Sequence, residues 1–201
     1  MSKAVHARFL DIAADLGPTL AEAIAARGPQ RLKRRDDGPL ADYLCRAVAG
    51  QQLSVVAART IWGRVEALCA KRPLGAVLAE VEEADLRGCG LSAAKCRAVR
   101  TIAEAGRAGA LEARALAPLT SEERKARLTA LKGVGPWTAD MINMFYFADP
   151  DIWPDGDVAA CKTLERLTSR RRKTVRTAER FAPHRSYLAL YMWSVADAPP
   201  V

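Results

Sequence analysis

The stretch Leu128–Asp157, LTALKGVGPWTADMINMFYFADPDIWPDGD, decides the fold. Two glycines flank Val134, and the residues on either side have helical composition. Gly133 and Gly135 can take positive φ, which closes one helix and reverses the chain within a few residues. Pro136 suits the first turn of the next helix, where its missing N–H costs nothing. The amides near Gly135 and Trp137 then stand at a helix N-terminus, where one phosphate oxygen can be held without a side-chain charge. The stretch is not a P-loop, because it lacks the G-x-x-x-x-G-K-[ST] pattern and no apolar β-run precedes it. Read alone, G-x-G is an ordinary αα-corner, Asp157 is a helix cap and Trp137 is a core residue.

The chain outside this stretch is also helical in pattern. Residues 5–27 carry apolar residues at helical spacing, with a break at Gly17-Pro18. Arg31–Gly38 is a polar loop whose basic run reads as a solvated face. Leu40, Tyr43, Leu44, Ala47 and Val48 form a buried stripe. A second stripe runs Val55, Ala58, Ile61, Trp62, Val65, Leu68, with Ser54 as its cap. Gly50-Gln51-Gln52-Leu53 is therefore a tight polar turn between two core helices. Residues 74–81 and 83–86 predict short helices, and Ser92 caps a longer one over 93–108. Thr120 or Ser121 opens a helix running to Leu131. Ser121 to Arg124 lacks the acid of a strict capping box, though Glu122 and Glu123 suit a first turn. A helix follows Asp157 to about Leu167, then the basic run Arg170-Arg171-Arg172-Lys173. A last helix spans about 187–195, and Ala198-Pro199-Pro200 reads as a frayed end. Strand periodicity and internal repeats are lacking.

Composition narrows the function classes. The 201 residues can bury a real core, and half of them are hydrophobic. A net charge of +8 suits a polyanionic partner. Five cysteines without a C-x-x-C pattern argue against a disulfide framework and for a reducing compartment. Two histidines offer little for zinc. The lack of an 18-residue apolar run or a signal-peptide pattern predicts a soluble cytoplasmic or nucleoid-associated protein, without a membrane role.

The hairpin, the acidic turn Pro154-Asp155-Gly156-Asp157, the segment Gly50-Gln51-Gln52-Leu53-Ser54-Val55, Gly90-Leu91-Ser92 with Lys95 and Arg97, and Arg185-Ser186-Tyr187 carry a family resemblance over roughly residues 40–187. Together they resemble the helix-hairpin-helix DNA glycosylases, and within them the 3-methyladenine DNA glycosylase II (AlkA-type) branch. The resemblance implies an all-α, two-lobed fold with a cleft between the lobes and no N-terminal β domain. One lobe would be residues 39–148. The other would combine 1–38 with 149–201.

The site residues follow from the same resemblance. Asp157 is the implied catalytic carboxylate, beginning a helix with Lys162 five positions on. Asp155 is a secondary acid. Helix amides keep such a carboxylate ionised, so it can stabilise oxocarbenium charge and orient water. The family's bifunctional members place a lysine where this chain has Trp137, which implies a monofunctional enzyme with water as nucleophile. Trp137, Met141, His184 and Tyr187 are the implied substrate pocket. Met141 and His184 stand where relatives often carry aromatics. Gln52 matches the residue that fills the gap left by a flipped nucleotide, with Gln51 and Leu53 beside it. Gly133, Gly135 and Thr138 would hold one DNA phosphate. Carbonyls of Thr129, Leu131 and Val134 match a structural Na⁺ or K⁺ site. Cys89 and Cys96 echo one spacing of the iron–sulfur loop of some relatives, but they precede the aspartate and lack two further cysteines, so an iron–sulfur cluster is not expected. The implied function is excision of 3-methyladenine- or 7-methylguanine-type purines from damaged duplex DNA by a monomer that requires no cofactor. The alternatives are another lesion, such as hypoxanthine or uracil, or a non-catalytic helix-hairpin-helix DNA-binding protein.

Overall fold

The computed structural model describes residues 1–36, 38–70, 72, 74–169 and 171–196. Arg170 of the basic run, Asp37 of the polar loop and the Ala198-Pro199-Pro200 end lie outside the described residues. Every regular element among the described residues is helical, as the sequence pattern predicts. None is long and apolar enough to cross a membrane. The chain divides into two units. One is built from Met1–Arg35 and from Asn143 onward, the other from Asp36–Ile142.

The Asp36–Ile142 unit holds α3 (Leu40–Gly50), α4 (Val55–Leu68), α5 (Leu74–Leu78), α6 (Glu83–Gly88), α7 (Ala93–Arg107), α8 (Ala113–Leu116), α9 (Ser121–Thr129) and α10 (Pro136–Met141). Its centre is the packing of α3 on α7. Leu40, Leu44, Cys45 and Val48 are buried on α3, and Cys96, Val99, Ile102 and Ala103 on α7. Removing such aliphatic side chains from water is the main stabilising term here, roughly 1.5–3 kcal/mol for each fully buried one. Ser54 and Ser92 cap α4 and α7, each accepting the backbone N–H three residues on. Of the two caps that the sequence offers for α9, the structure uses the first. Thr120 is the N-cap, and its partner three residues later is Glu123, so the reciprocal capping box is complete. After Met141 the chain widens into a π turn, Ile142–Tyr146.

The other unit holds α1 (Lys3–Leu16), α2 (Pro18–Arg27), α11 (Val158–Leu167), α12 (Thr174–Glu179) and α13 (Arg185–Ala196). Here α1 packs on α2, and α11 packs on α13. α13 has six buried residues in its twelve, among them Leu188, Tyr191 and Trp193. Phe9 packs on the rings of Phe181, at 4.8 Å, and Tyr191, at 5.9 Å. The Tyr191 hydroxyl donates to the Gly28 carbonyl at 2.8 Å and lies 2.8 Å from His6 Nδ1, so its polar end is satisfied inside the core. Burial pushes this phenol up to about 12.

Candidate functional site

In the Asp36–Ile142 unit, α9 ends at Ala130 and the chain turns through Leu131–Gly135 into α10. The Val134 amide donates to the Leu131 carbonyl at 3.0 Å, and the Val134 side chain is buried. Gly133 sits at φ +91°. A Cβ there would lie 2.4 Å from Ala98 Cβ on α7, so glycine is required by both backbone and packing. Gly135 does not use its freedom to take positive φ. It is the N-cap of α10 at φ −86° and ψ 170°, ordinary extended backbone. The reversal needs only one left-handed residue, and Gly133 supplies it. A Cβ on Gly135 would meet nothing within 4 Å. Lys125 of α9 ties to Asp140 of α10 at 2.7 Å, with Asp140 only 4% exposed, which clamps the two hairpin helices.

The turn after α3 is built onto this hairpin. Gln51 Nε2 donates to Thr138 Oγ1 at 3.0 Å and to the Gly133 carbonyl at 3.3 Å. Thr138 is 2% exposed. The side chains of Gln51 and Thr138, both expected against DNA, are thus engaged with each other. Gln52 is exposed and adopts φ +58°, a left-handed conformation unusual for a non-glycine. Lys95 of α7 holds this turn in place. Its ammonium donates to the carbonyls of Ala49, at 2.8 Å, and Gln51, at 2.7 Å. These are end-of-helix carbonyls, which a cation satisfies well. Burial pulls the Lys95 ammonium below its usual range. Replacing Lys95 with Met leaves those acceptors without a donor. We expect a loss of about 2 kcal/mol, read as a fall of roughly 4–8 °C in Tm. The same variant should weaken binding to abasic duplex DNA, measured by fluorescence anisotropy.

In the other unit, Asp157 is the N-cap of α11. Its Oδ1 accepts the Ala160 amide at 2.8 Å and the Trp193 indole N–H, from α13, at 3.0 Å. Asp155 is exposed. Its Oδ1 accepts from Thr174 Oγ1 at 3.3 Å, and its carbonyl accepts from Cys161 Sγ at 3.2 Å. The arrangement makes Asp155 a tether between the acidic turn and the start of α12. Desolvation raises the Cys161 thiol above its ordinary range.

Arg185-Ser186 anchors the loop that leads to this turn. Arg185 grips Asp151 with two hydrogen bonds, 2.8 and 3.0 Å, and its amide adds a third at 3.1 Å. The hydrogen bond to Asp151 raises the Arg185 guanidinium above its usual value. The fully buried Ser186 hydroxyl donates to the Asp149 carbonyl at 2.7 Å and accepts the Ile152 amide at 2.9 Å. His184 packs edge-on to Tyr187 with ring centroids 6.1 Å apart. His184 Nδ1 and Trp153 Nε1 are buried without a hydrogen-bond partner among the described residues. Trp137 is half-buried and Met141 is buried, both on α10.

Trp193, Lys95 and Asp151 hold these turns through contacts that the sequence did not disclose. Trp193 looks like another apolar residue of the last helix, and its partner lies 36 positions away. Trp193→Phe keeps the ring and removes the donor. We expect its single-turnover rate of base release to fall about tenfold, equivalent to ~1.4 kcal/mol, with an unchanged far-ultraviolet circular dichroism spectrum.

The helical fold, a hairpin with one left-handed glycine and a helix-capping aspartate after an acidic turn define a helix-hairpin-helix DNA glycosylase scaffold. No family model matches the chain. It is 32% identical to DNA-3-methyladenine glycosylase 1 of Schizosaccharomyces pombe, over 77% of this chain and 72% of that protein. It is also 32% identical to a probable bifunctional transcriptional activator/DNA repair enzyme AlkA of Mycobacterium tuberculosis, over 96% of this chain but only 42% of the relative. The structure of S. pombe 3-methyladenine DNA glycosylase (Mag1) in complex with abasic DNA superimposes with a TM-score of 0.82, 25% identity and 97% coverage of both chains. The chain belongs to the 3-methyladenine DNA glycosylase family of the helix-hairpin-helix superfamily.

Proposed function

We propose that the chain is a monofunctional DNA glycosylase of base excision repair that flips alkylated purines out of duplex DNA and hydrolyses their glycosidic bond. The observation that carries this reading is the Asp157 carboxylate, fixed by Ala160 N–H and Trp193 Nε1–H at the start of α11. A purine alkylated at N3 or N7 is cationic. When its C1′–N bond breaks, the bonding electrons neutralise the departing base, so it needs no acid to protonate it. The charge that needs help is the positive one on the sugar, and an ionised carboxylate supplies that help. Water then adds to C1′, and its proton passes to the carboxylate or to solvent.

Trp137, at the position where bifunctional relatives carry lysine, offers an aromatic face for a cationic base. Met141, His184 and Tyr187 are the remaining residues we assign to base recognition. Exposed Gln52, with Leu53 beside it, is the residue for the gap left by flipping. Gly133 and Gly135 would meet one phosphate, while Gln51 and the buried Thr138 brace them. Neutral carbonyls of Thr129, Leu131 and Val134 suit a monovalent cation, although Leu131 already accepts one amide. That ion would organise the hairpin and take no part in the chemistry. We read the enzyme as a monomer acting in the cytoplasm on damaged duplex DNA.

The direct test is release of 3-methyladenine and 7-methylguanine from methylated duplex DNA, followed by alkaline cleavage at the abasic sites. Release above the uncatalysed rate is the expected result. Absence of release, with release of hypoxanthine or uracil instead, would move the substrate. Tight lesion-independent binding without any release would favour the non-catalytic reading.

A further inference from the structure

A cavity of about 440 Å³ opens between the end of α1 and the approach to α12. Its wall holds Arg171, Arg172, Lys173, Arg176 and Arg180, with the apolar body of Leu16 behind them. Five cationic side chains thus converge on one space, in a chain whose whole net charge is +8, and the described residues of the wall include no carboxylate. Among the described residues, Arg180 is the one of the five with a counter-ion, Asp15 at 2.5 Å. Arg171, Arg172, Lys173 and Arg176 make no side-chain ion pair among the described residues. Like charges gathered this closely repel one another, and an anion placed among them removes that cost.

We propose that this cavity binds phosphodiester groups of a DNA strand, as a contact separate from the hairpin. Two observations choose the ligand class. Arginine predominates, and its planar fork matches phosphate oxygens two at a time. Five cationic side chains line one space, more charge than a single free phosphate balances and enough for adjacent backbone groups. The cavity is also tied to the catalytic turn. Thr174, next to Lys173, donates to Asp155, two residues before Asp157. A strand gripped here therefore braces the loop that presents the carboxylate.

The proposal rests on the reading of the chain as a DNA-binding glycosylase, and the test separates the two. Binding to a duplex with a stable abasic analogue is measured across a salt series for wild type, for Arg172→Gln/Arg176→Gln and for the equal-charge control Arg87→Gln/Arg114→Gln. All four arginines are exposed, so the fold should survive. The cavity variant is expected to lose about 5- to 10-fold in affinity, with the slope of log K against log salt shallower by about 1 to 2. The control should change affinity less than twofold, and Arg172→Lys/Arg176→Lys should recover part of the loss. Equal loss in the control, or an unchanged slope in the cavity variant, overturns the proposal. So does calorimetric binding of pyrophosphate to wild type, lost in the cavity variant while DNA binding stays intact, because the site then serves a small free anion. Failure of wild type to bind DNA at all would instead count against the proposed function.

Discussion

Asp157→Asn is expected to lower base release roughly 100- to 10,000-fold while leaving the protein folded and able to hold abasic DNA. The substitution is nearly isosteric, and asparagine is as good an N-cap as aspartate. Its side-chain oxygen can still accept the Ala160 amide and the Trp193 indole, so the start of α11 and its link to α13 persist. Only the negative charge is lost, and with it the stabilisation of the cationic sugar. Asp155→Asn is the matched control. The amide oxygen can still accept the Thr174 hydroxyl, and we expect most of the activity to remain. Single-turnover base release and a melting curve on both variants check the pair. Loss with Asp155 and survival with Asp157 would move the catalytic carboxylate two residues upstream.

The helices that position this site are legible in the sequence wherever they are long or punctuated. Gly17-Pro18 separates α1 from α2 at the expected place, and Ser54 and Ser92 cap the helices they are expected to cap. The short helices α8 and α12 are missed because four and six residues give no readable periodicity. Sequence also identifies which glycines have freedom but not which of them uses it, hence the different outcome at Gly135. The side-chain partnerships are the least legible part. Gln51 meets Thr138 across 87 residues and Lys95 meets the Gln51 carbonyl across 44. Residue type alone makes Gln51 and Thr138 look like ligand contacts. Only the tertiary packing shows that they brace the turn carrying Gln52 and the hairpin carrying Gly135. The motif Arg185-Ser186 is similar: its pattern marks a family, whereas its contacts with Asp151, Asp149 and Ile152 explain it as an anchor for the loop before the acidic turn.

The two hairpin glycines should separate stability from DNA binding. Gly133→Ala places a methyl 2.4 Å from Ala98 Cβ and forces an L-residue to φ +91°. The overpacking costs about 1–3 kcal/mol and the left-handed backbone about 1–2 more. For a chain of this length the sum corresponds to a Tm lowered by roughly 5–15 °C. Adding Ala98→Gly removes the clash but places a glycine inside α7, so recovery should be partial. Gly135→Ala behaves differently. Its backbone is already in a region open to alanine, and its Cβ points into open space. The melting temperature should therefore stay within a few degrees of wild type. If the hairpin presents its amides to a phosphate, that open space is where the DNA backbone approaches, and a methyl there obstructs it. We expect abasic-DNA affinity to fall about tenfold, equivalent to ~1.4 kcal/mol. Wild-type affinity in folded Gly135→Ala would mean that no phosphate comes within contact of this residue, and the DNA would have to be held by the turn carrying Gln52 and by the basic wall beside α12.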